Sequence, residues 1–147
     1  MLSCNLLEMT ETLLLAIRED VKNNKGYVFN RNQLSCGYKL SEEFIREFQN
    51  EVVWDNISYF QTLSEDFIRE FQDKVNWNFI SIHQTLSEGF IIEFEDKIDF
   101  NAISYVQKLS GDFIKEFCDR ISFFGLTTSP YWNDLSQDIK DYIRMFL

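Results

Sequence analysis

The chain has 147 residues, of which 45% are hydrophobic and 16% aromatic, so it can build a packed core, and its composition excludes intrinsic disorder. The formal net charge is −10, and residues 40–147 account for it with 20 acidic and nine basic side chains, whereas residues 1–39 carry four acidic and five basic ones. A surface of that sign repels nucleic acids and anionic membranes and favours a partner with a basic surface.

The beginning of the chain carries no signal for export. The string MLSCNLLEMTETLLLAIRED lacks a basic region, and Glu8 and Glu11 interrupt its apolar stretch, so we expect no signal peptide. No apolar run in the sequence approaches the roughly 18 residues of a membrane span. Cys4, Cys36 and Cys118 are odd in number and lack the spacing of metal ligands. The sequence therefore predicts a reduced intracellular compartment, the cytoplasm.

Two segments precede the main pattern of the chain. Residues 1–28 predict a leader helix, and residues 29–39 predict a degenerate half-repeat, because counting 23 residues back from Ile57–Ser58 gives Leu34–Ser35. Apolar residues of the leader recur at helical spacing. They are Leu6, Leu13, Leu14, Ile17 and Val21.

Four tandem repeats with a constant period of 23 residues follow the leader. They occupy residues 40–62 (LSEEFIREFQNEVVWDNISYFQT), 63–85 (LSEDFIREFQDKVNWNFISIHQT), 86–108 (LSEGFIIEFEDKIDFNAISYVQK) and 109–131 (beginning LSGDFIKEFCDRISFFGL). Residues 132–147 predict a C-terminal capping helix, since a stacked array needs atypical units at its ends. We expect all of residues 1–147 to form a single domain.

Each repeat predicts two short helices. In the second repeat, Ser64 is a helix N-cap residue, and Leu63 and Ile68 have the spacing of a hydrophobic staple. One aromatic column lies on the first helix and another begins the second helix, and we expect both in the core. The columns are Phe44, Phe67, Phe90 and Phe113, and Trp54, Trp77, Phe100 and Phe123. The predicted fold is all-α, a small α-solenoid of helix–turn–helix repeats without a sheet.

The repeat has a recognisable type. The string LSEDFIREFQDKVNW, followed by an Ile-Ser pair and a Gln, resembles tandem repeats of uncharacterised proteins of giant DNA viruses and of some bacteria, over residues 40–125. The resemblance implies helical repeats and a viral or mobile-element source, and it carries over no catalytic residue. The stretch Tyr131–Lys140 resembles the start of the F-box-like tail of poxvirus repeat proteins, although Ser136 stands where such tails usually have proline. A capping half-repeat explains the same residues.

Candidates for chemistry are few. The only histidine, His83, occupies the column of Phe60 and Val106, which predicts a partly packed helix residue. The serine column predicts close packing rather than a nucleophile, and the glutamine column predicts partners for backbone groups near helix ends, with a recognition row as the alternative. These columns are Ser35, Ser58, Ser81 and Ser104, and Gln61, Gln84 and Gln107. We predict no catalytic site, metal or cofactor.

Carboxylates supply the candidate binding residues. One glutamate recurs in all four repeats and flanks the apolar stripe, where it can pair with a neighbouring Arg or Lys or meet a basic partner. This column is Glu47, Glu70, Glu93 and Glu116. Acids of the first helical turn are expected to be exposed and dispensable for the core, and are the best candidates for partner contact. They are Glu42, Glu43, Glu65, Asp66 and Glu88, with Tyr59, Tyr105 and Tyr131 as aromatic candidates.

The sequence as a whole predicts a non-enzymatic protein-binding scaffold with an acidic face. The viral resemblance implies an inhibitor or adaptor that acts on a host or defence factor, and places it in the host cell. Alternatives are an acidic nucleic-acid mimic that blocks a basic channel, an F-box-like ubiquitin-ligase adaptor, and a hydrolase or transferase on a helical fold. We expect a protein partner with a basic surface and no direct contact with nucleic acid or membrane, and we leave the oligomeric state open.

Overall fold

The computed structural model describes residues 7–8, 10–23 and 30–147, without the side chains of residues 7, 8 and 21. Eleven α-helices occur in these residues, which confirms the predicted all-α class of helical repeats. Cys4, Leu6 and the side chain of Val21, which the sequence analysis singled out, lie outside the described part. The chain divides into two compact units, Met1–Asn76 and Trp77–Leu147.

The helices are short and follow one another closely. The first unit contains β1 (Leu7–Glu8), α1 (Glu11–Lys22), α2 (Arg31–Gly37), β2 (Tyr38–Lys39), α3 (Glu42–Glu47), α4 (Trp54–Phe60) and α5 (Glu65–Glu70). The second unit contains α6 (Trp77–His83), α7 (Glu88–Glu93), α8 (Phe100–Val106), α9 (Gly111–Glu116), α10 (Phe123–Thr128), a 3-10 turn (Trp132–Asp134) and α11 (Gln137–Arg144).

The leader helix is shorter than residues 1–28. The Thr10 hydroxyl accepts a hydrogen bond from the Leu13 N–H (3.3 Å), as an N-cap residue does, so α1 begins only at Glu11. Leu7–Glu8 form β1, which pairs in parallel with β2. This two-residue pairing departs from the expectation of no sheet. Within α1, Ile17 is buried and Leu13 and Leu14 are half-buried.

The first helix of each repeat begins and packs as its sequence predicts. A serine hydroxyl at each N-cap accepts a hydrogen bond of 3.2 Å from the N–H of the core phenylalanine three residues later. The four serines are Ser41, Ser64, Ser87 and Ser110. The phenylalanine column is at most 6% exposed, and the isoleucine after each of these phenylalanines is fully buried. The predicted helical phase is therefore confirmed.

The aromatic column of the second helices is only partly core. Phe100 is buried, whereas Trp54, Trp77 and Phe123 are half-buried. In the three complete repeats, the ring of this column lies 4.9–5.6 Å, between ring centres, from the ring of the phenylalanine 17 residues later. The outer faces carry cations, for example Arg120, whose guanidinium carbon lies 3.9 Å from the centre of the Phe100 ring. An amphipathic ring that stacks on one side and meets a cation on the other needs no complete burial.

The serine column is a row of buried hydrogen-bond bridges. Each hydroxyl donates to the carbonyl four residues earlier in its own helix, at 2.5–2.8 Å. Each also accepts from a backbone N–H 18 residues later, at the start of the second helix of the next repeat, at 2.9–3.0 Å. All four serines are fully buried. Both functions of the hydroxyl are therefore used, and the nucleophile alternative has no free group to act.

The glutamine column binds the first backbone N–H of its own repeat and carbonyls of the segment before it. Gln61 Oε1 accepts from the Leu40 N–H (2.9 Å), and its amide nitrogen donates to the carbonyls of Ser35 (3.0 Å) and Tyr38 (2.8 Å). Gln107 accepts from the Leu86 N–H (3.2 Å) and donates to the Gln84 carbonyl (2.6 Å). The amides are buried, so these bonds satisfy groups that water cannot reach.

The C-terminal helix packs where the last repeat departs from the pattern. Gly111 stands where the earlier repeats have a first-turn glutamate, and a Cβ there would lie 2.7 Å from Cδ1 of Ile139. The absence of a side chain thus leaves room for α11, whose Ile139 and Ile143 are buried. A hydrogen bond with Cys118 raises the pKa of the α11 phenol Tyr142 above its ordinary value. At the end of this helix, Phe146 stacks on Phe123 with 5.0 Å between ring centres.

The phenylalanine column makes a first testable prediction. Phe67→Ala removes a fully buried ring and should lower the free energy of unfolding by about 3–5 kcal/mol, because a cavity replaces its contacts. Leu15→Ala is the control, since Leu15 is 62% exposed. Chemical denaturation followed by circular dichroism measures both. Equal stability of the two variants would contradict the packing described here.

The serine bridges make a second prediction. Ser58→Ala keeps the packing volume nearly unchanged but leaves the Asn76 N–H without its acceptor. The free energy of unfolding should fall by about 1–3 kcal/mol, the cost of an unsatisfied buried donor. Thr62→Ala, at an exposed position of the same repeat, should change it by less than about 0.5 kcal/mol. If Ser58→Ala is as stable as Thr62→Ala, the column serves close packing alone.

Candidate protein-binding surface

Two of the first-turn acids do not lie free on the surface. Glu42 Oε1 accepts a hydrogen bond from the Ser64 N–H (2.7 Å) in the next repeat. Glu88 does the same with the Ser110 N–H (2.5 Å) and also accepts from the Ser110 hydroxyl (3.0 Å). Both side chains are half-buried. The expectation that these acids are exposed and dispensable is wrong for this pair, because each satisfies a backbone donor at the start of a neighbouring helix.

The other first-turn acids differ in exposure. Asp66 is 93% exposed and pairs with Arg69 at 2.9 Å. Glu43 is also exposed, and hydrogen bonds to a backbone N–H and to Ser41 lower the pKa of its carboxyl below the ordinary range. Glu65 is half-buried and lies 3.7 Å from Arg69. Among the five candidates, Glu43 and Asp66 therefore present their carboxylates most openly to solvent.

The recurring glutamate column forms ion pairs in the first unit. Glu47 binds Arg18 through two hydrogen bonds of 2.7 and 2.6 Å, and Glu70 binds Arg46 at 2.8 Å. These bonds lower the pKa of Glu47 and raise the pKa of both guanidinium groups. Because the pairs are well exposed, each contributes little to stability. Their geometry supports the structural alternative for these two glutamates.

The same column has no cation in the last repeat. Arg46 reaches the glutamate 24 residues later, and the residue 24 positions before Glu116 is Ile92, which is 46% exposed. Glu116 is exposed and makes no hydrogen bond or ion pair with any residue that the structure describes. The replacement of a basic residue by isoleucine thus leaves this carboxylate unpaired.

Three further acids of the second unit share this condition. Asp96, Asp112 and Asp119 are exposed and, within the described residues, form no hydrogen bond or ion pair. We call these three residues together with Glu116 the acidic edge. Asp112 and Glu116 are one helical turn apart on α9, and Asp96 and Asp119 occupy equivalent positions in the turns after α7 and α9.

Sequence reasoning missed three members of the acidic edge. Asp96 and Asp119 belong, with Asn50 and Asp73, to a column in the turn after the first helix, and Asp112 belongs to the column of the candidates Glu43 and Asp66. The available signal was the change from Arg46 and Arg69 to Ile92 at one column, which removes a cation in the repeat before Glu116.

The candidate tyrosines lie on the second helices or beyond them. Tyr59 is 41% exposed on α4, and Tyr105 is 45% exposed on α8. Tyr131, which precedes the 3-10 turn, is half-buried. Tyr59 and Tyr105 are thus accessible to a partner, and each lies on the second helix of its repeat, whereas the candidate carboxylates lie on first helices.

Within the described residues, the histidine and the potential metal ligands form no cluster. His83 is exposed at the end of α6, 6.2 Å from the Phe79 ring, and partial burial lowers the pKa of its imidazole. Within the described ranges no three His, Cys, Asp or Glu side chains are grouped as metal ligands. A cavity of about 320 Å³ in the first unit has Leu14, Leu40 and Phe44 among its lining residues. Polar and charged residues line this cavity as well, namely Thr10, Glu11, Lys39 and Ser41.

The two classes of first-turn acid make a third prediction. Glu42→Ala removes the acceptor of the Ser64 N–H and should lower the free energy of unfolding by about 1 kcal/mol, since water replaces part of the lost bond. Asp66→Ala, at a nearly fully exposed carboxylate, should change it by less than about 0.5 kcal/mol. Thermal and chemical denaturation compare the two variants. A larger loss from Asp66→Ala would reverse the assignment.

Comparison with known proteins adds no relative. No protein-family model matches the sequence, and no curated protein and no solved structure is significantly similar to it. Of the helices in the described ranges, none combines the length and the apolar character needed to cross a membrane. The function must therefore be argued from the surface of the repeats themselves.

Proposed function

We propose that this chain is a non-enzymatic helical-repeat scaffold that binds a protein partner with a basic surface, and that the acidic edge of its second unit makes the contact. The observation that carries the proposal is the set of four exposed carboxylates without a hydrogen bond or ion pair among the described residues. No described residue pairs with these carboxylates in the folded chain, whereas a partner with Arg or Lys side chains would pair with them.

The six cations of the second unit interact with groups outside the acidic edge, although Lys115 lies between Asp112 and Glu116 in the sequence of α9. Lys115 interacts electrostatically with Asp138, and Lys140 donates to the Asn133 carbonyl at 3.3 Å. Lys108 pairs with Asp134 at 3.0 Å, Arg120 with Glu95 at 3.2 Å and Arg144 with Asp141 at 2.8 Å. Lys97 lies 5.3 Å from the centre of the Trp77 ring. Residues 77–147 contain 11 acidic and six basic side chains. The negative potential of the acidic edge is therefore available to steer an approaching basic protein.

Two members of the edge occupy unfavourable positions in the free chain, whereas Asp112 lies in the first turn of α9, where the helix dipole favours negative charge. Glu116 is the last residue of α9, and Asp119 follows in the next turn. The carbonyl end of a helix carries partial negative charge, so carboxylates there are repelled and lysine or arginine is preferred. A basic partner would remove this repulsion on binding. The cost in the free chain is small, because the carboxylates are exposed to water and salt.

A charge-neutralised variant provides the test of this proposal. The edge variant combines Asp96→Asn, Asp112→Asn, Glu116→Gln and Asp119→Asn, and the control combines Glu8→Gln, Glu11→Gln, Glu19→Gln and Asp20→Asn. Both variants change the net charge from −10 to −6. Wild-type and control baits should retain the same basic protein from an extract. Its association with the edge variant should be about tenfold slower at low salt, a difference that fades at high salt.

Two results would overturn the proposed function. One is equal association of the captured partner with the edge variant and with the leader control at every ionic strength. The other is a captured partner whose binding surface is not basic. Because both variants carry the same net charge, a difference between them cannot arise from overall charge.

A further inference from the structure

The second helices of the second unit carry no charged side chain. α6 (WNFISIH), α8 (FNAISYV) and α10 (FFGLTT) contain no Asp, Glu, Lys or Arg, although 26% of the whole chain is charged. The pKa of His83 lies below its ordinary value, so this ring is neutral at pH 7. The charges of this unit therefore lie on the other helices and on the turns.

These three helices present one surface to solvent. α8 packs beside α6 and beside α10, and equivalent positions of the three helices are exposed. His83 at the end of α6 is also exposed, and the exposed residues at equivalent positions are Asn78 and Ile82 on α6, Asn101 and Tyr105 on α8, and Phe124 and Thr128 on α10. We call these six residues the uncharged face. Phe124 is 72% exposed, and Ile82 and Tyr105 are 41% and 45% exposed, so the face contains substantial apolar area.

From this distribution we infer that the uncharged face binds a second copy of this chain, and that the protein is a homodimer with Tyr105 near the two-fold axis. Two chains of net charge −10 repel each other wherever their acidic surfaces meet. The uncharged face is a surface through which they can approach without opposing charges. Tyr105 is placed near the axis because it lies on α8, the middle helix of the three.

The chemistry of the face suits an identical partner. An isologous dimer needs a surface that is complementary to itself, and the Asn101 amide contains both donors and an acceptor. Thr128 Oγ1 already donates to the Phe124 carbonyl at 3.0 Å and can still accept. The apolar groups of Ile82, Tyr105 and Phe124 would cover those of the other copy. The cores of homodimer interfaces are depleted in charge and enriched in aromatic residues. A partner with an ordinary charged surface would instead lose hydration here without gaining an ion pair.

The mass of the full chain in solution tests the dimer. Light scattering after gel filtration, over a concentration series, should approach twice the 17.6 kDa of one chain. Tyr105→Asp and Phe124→Asp place like charges in a two-fold contact and should each raise the dimer dissociation constant by roughly a hundredfold or more. Leu15→Asp adds the same charge at another exposed apolar residue, 62% exposed on α1, and should leave the dimer unchanged. Circular dichroism of each variant verifies its fold.

Salt provides a second measurement that requires no variant. An uncharged contact between two acidic chains should become tighter as salt screens their repulsion, whereas a contact built from ion pairs should weaken. A single-chain mass at all concentrations and salt levels would overturn the inference, as would a dimer that survives both aspartate substitutions. The edge variant described above should still dimerise, so failure of the dimer and failure of the proposed function are distinguishable.

Discussion

Unsatisfied backbone N–H groups are the constraint on which the rest of this structure depends. The first N–H groups of every helix lack partners within that helix, and helices of six or seven residues multiply such ends. In this chain some partners come from the preceding repeat: Ser58 Oγ accepts from the Asn76 N–H, and Glu42 Oε1 accepts from the Ser64 N–H. Others come from the far end of the same repeat, where Gln61 Oε1 accepts from the Leu40 N–H. Each repeat therefore needs its neighbour for hydrogen bonding as well as for apolar burial.

Aromatic packing follows the register that these bonds set. Trp54 and Phe71 have ring centres 5.0 Å apart, and Trp77 and Phe94 repeat the arrangement at 4.9 Å. A change of register between two repeats would break the serine hydrogen-bond bridges and would also separate the stacked rings. Polar and aromatic columns thus specify the same alignment, which is the agreement between local and global preferences that favours one folded state.

The need to satisfy backbone N–H groups also divides the carboxylates into those that bind within the fold and those that do not. Carboxylates that accept from a backbone N–H of the next repeat, such as Glu42 and Glu88, stabilise the packing of repeats. Those of the acidic edge have no such task, and the uncharged face has no carboxylates at all. A dimer through the uncharged face would present two acidic edges in one molecule. Two linked sites bind a partner with repeated basic segments more tightly than either site alone.

The sequence by itself determined the period, the helical class, the serine N-caps and the phenylalanine core, because these depend on residue spacing within one repeat. Only the tertiary structure decided what the polar columns do. Ser58 looked like a packing residue and Glu42 like a surface acid, since their partners lie 18 and 22 residues away in another repeat. The short β pairing before α1 and the unpaired state of Glu116 likewise depend on contacts between segments that no local pattern encodes.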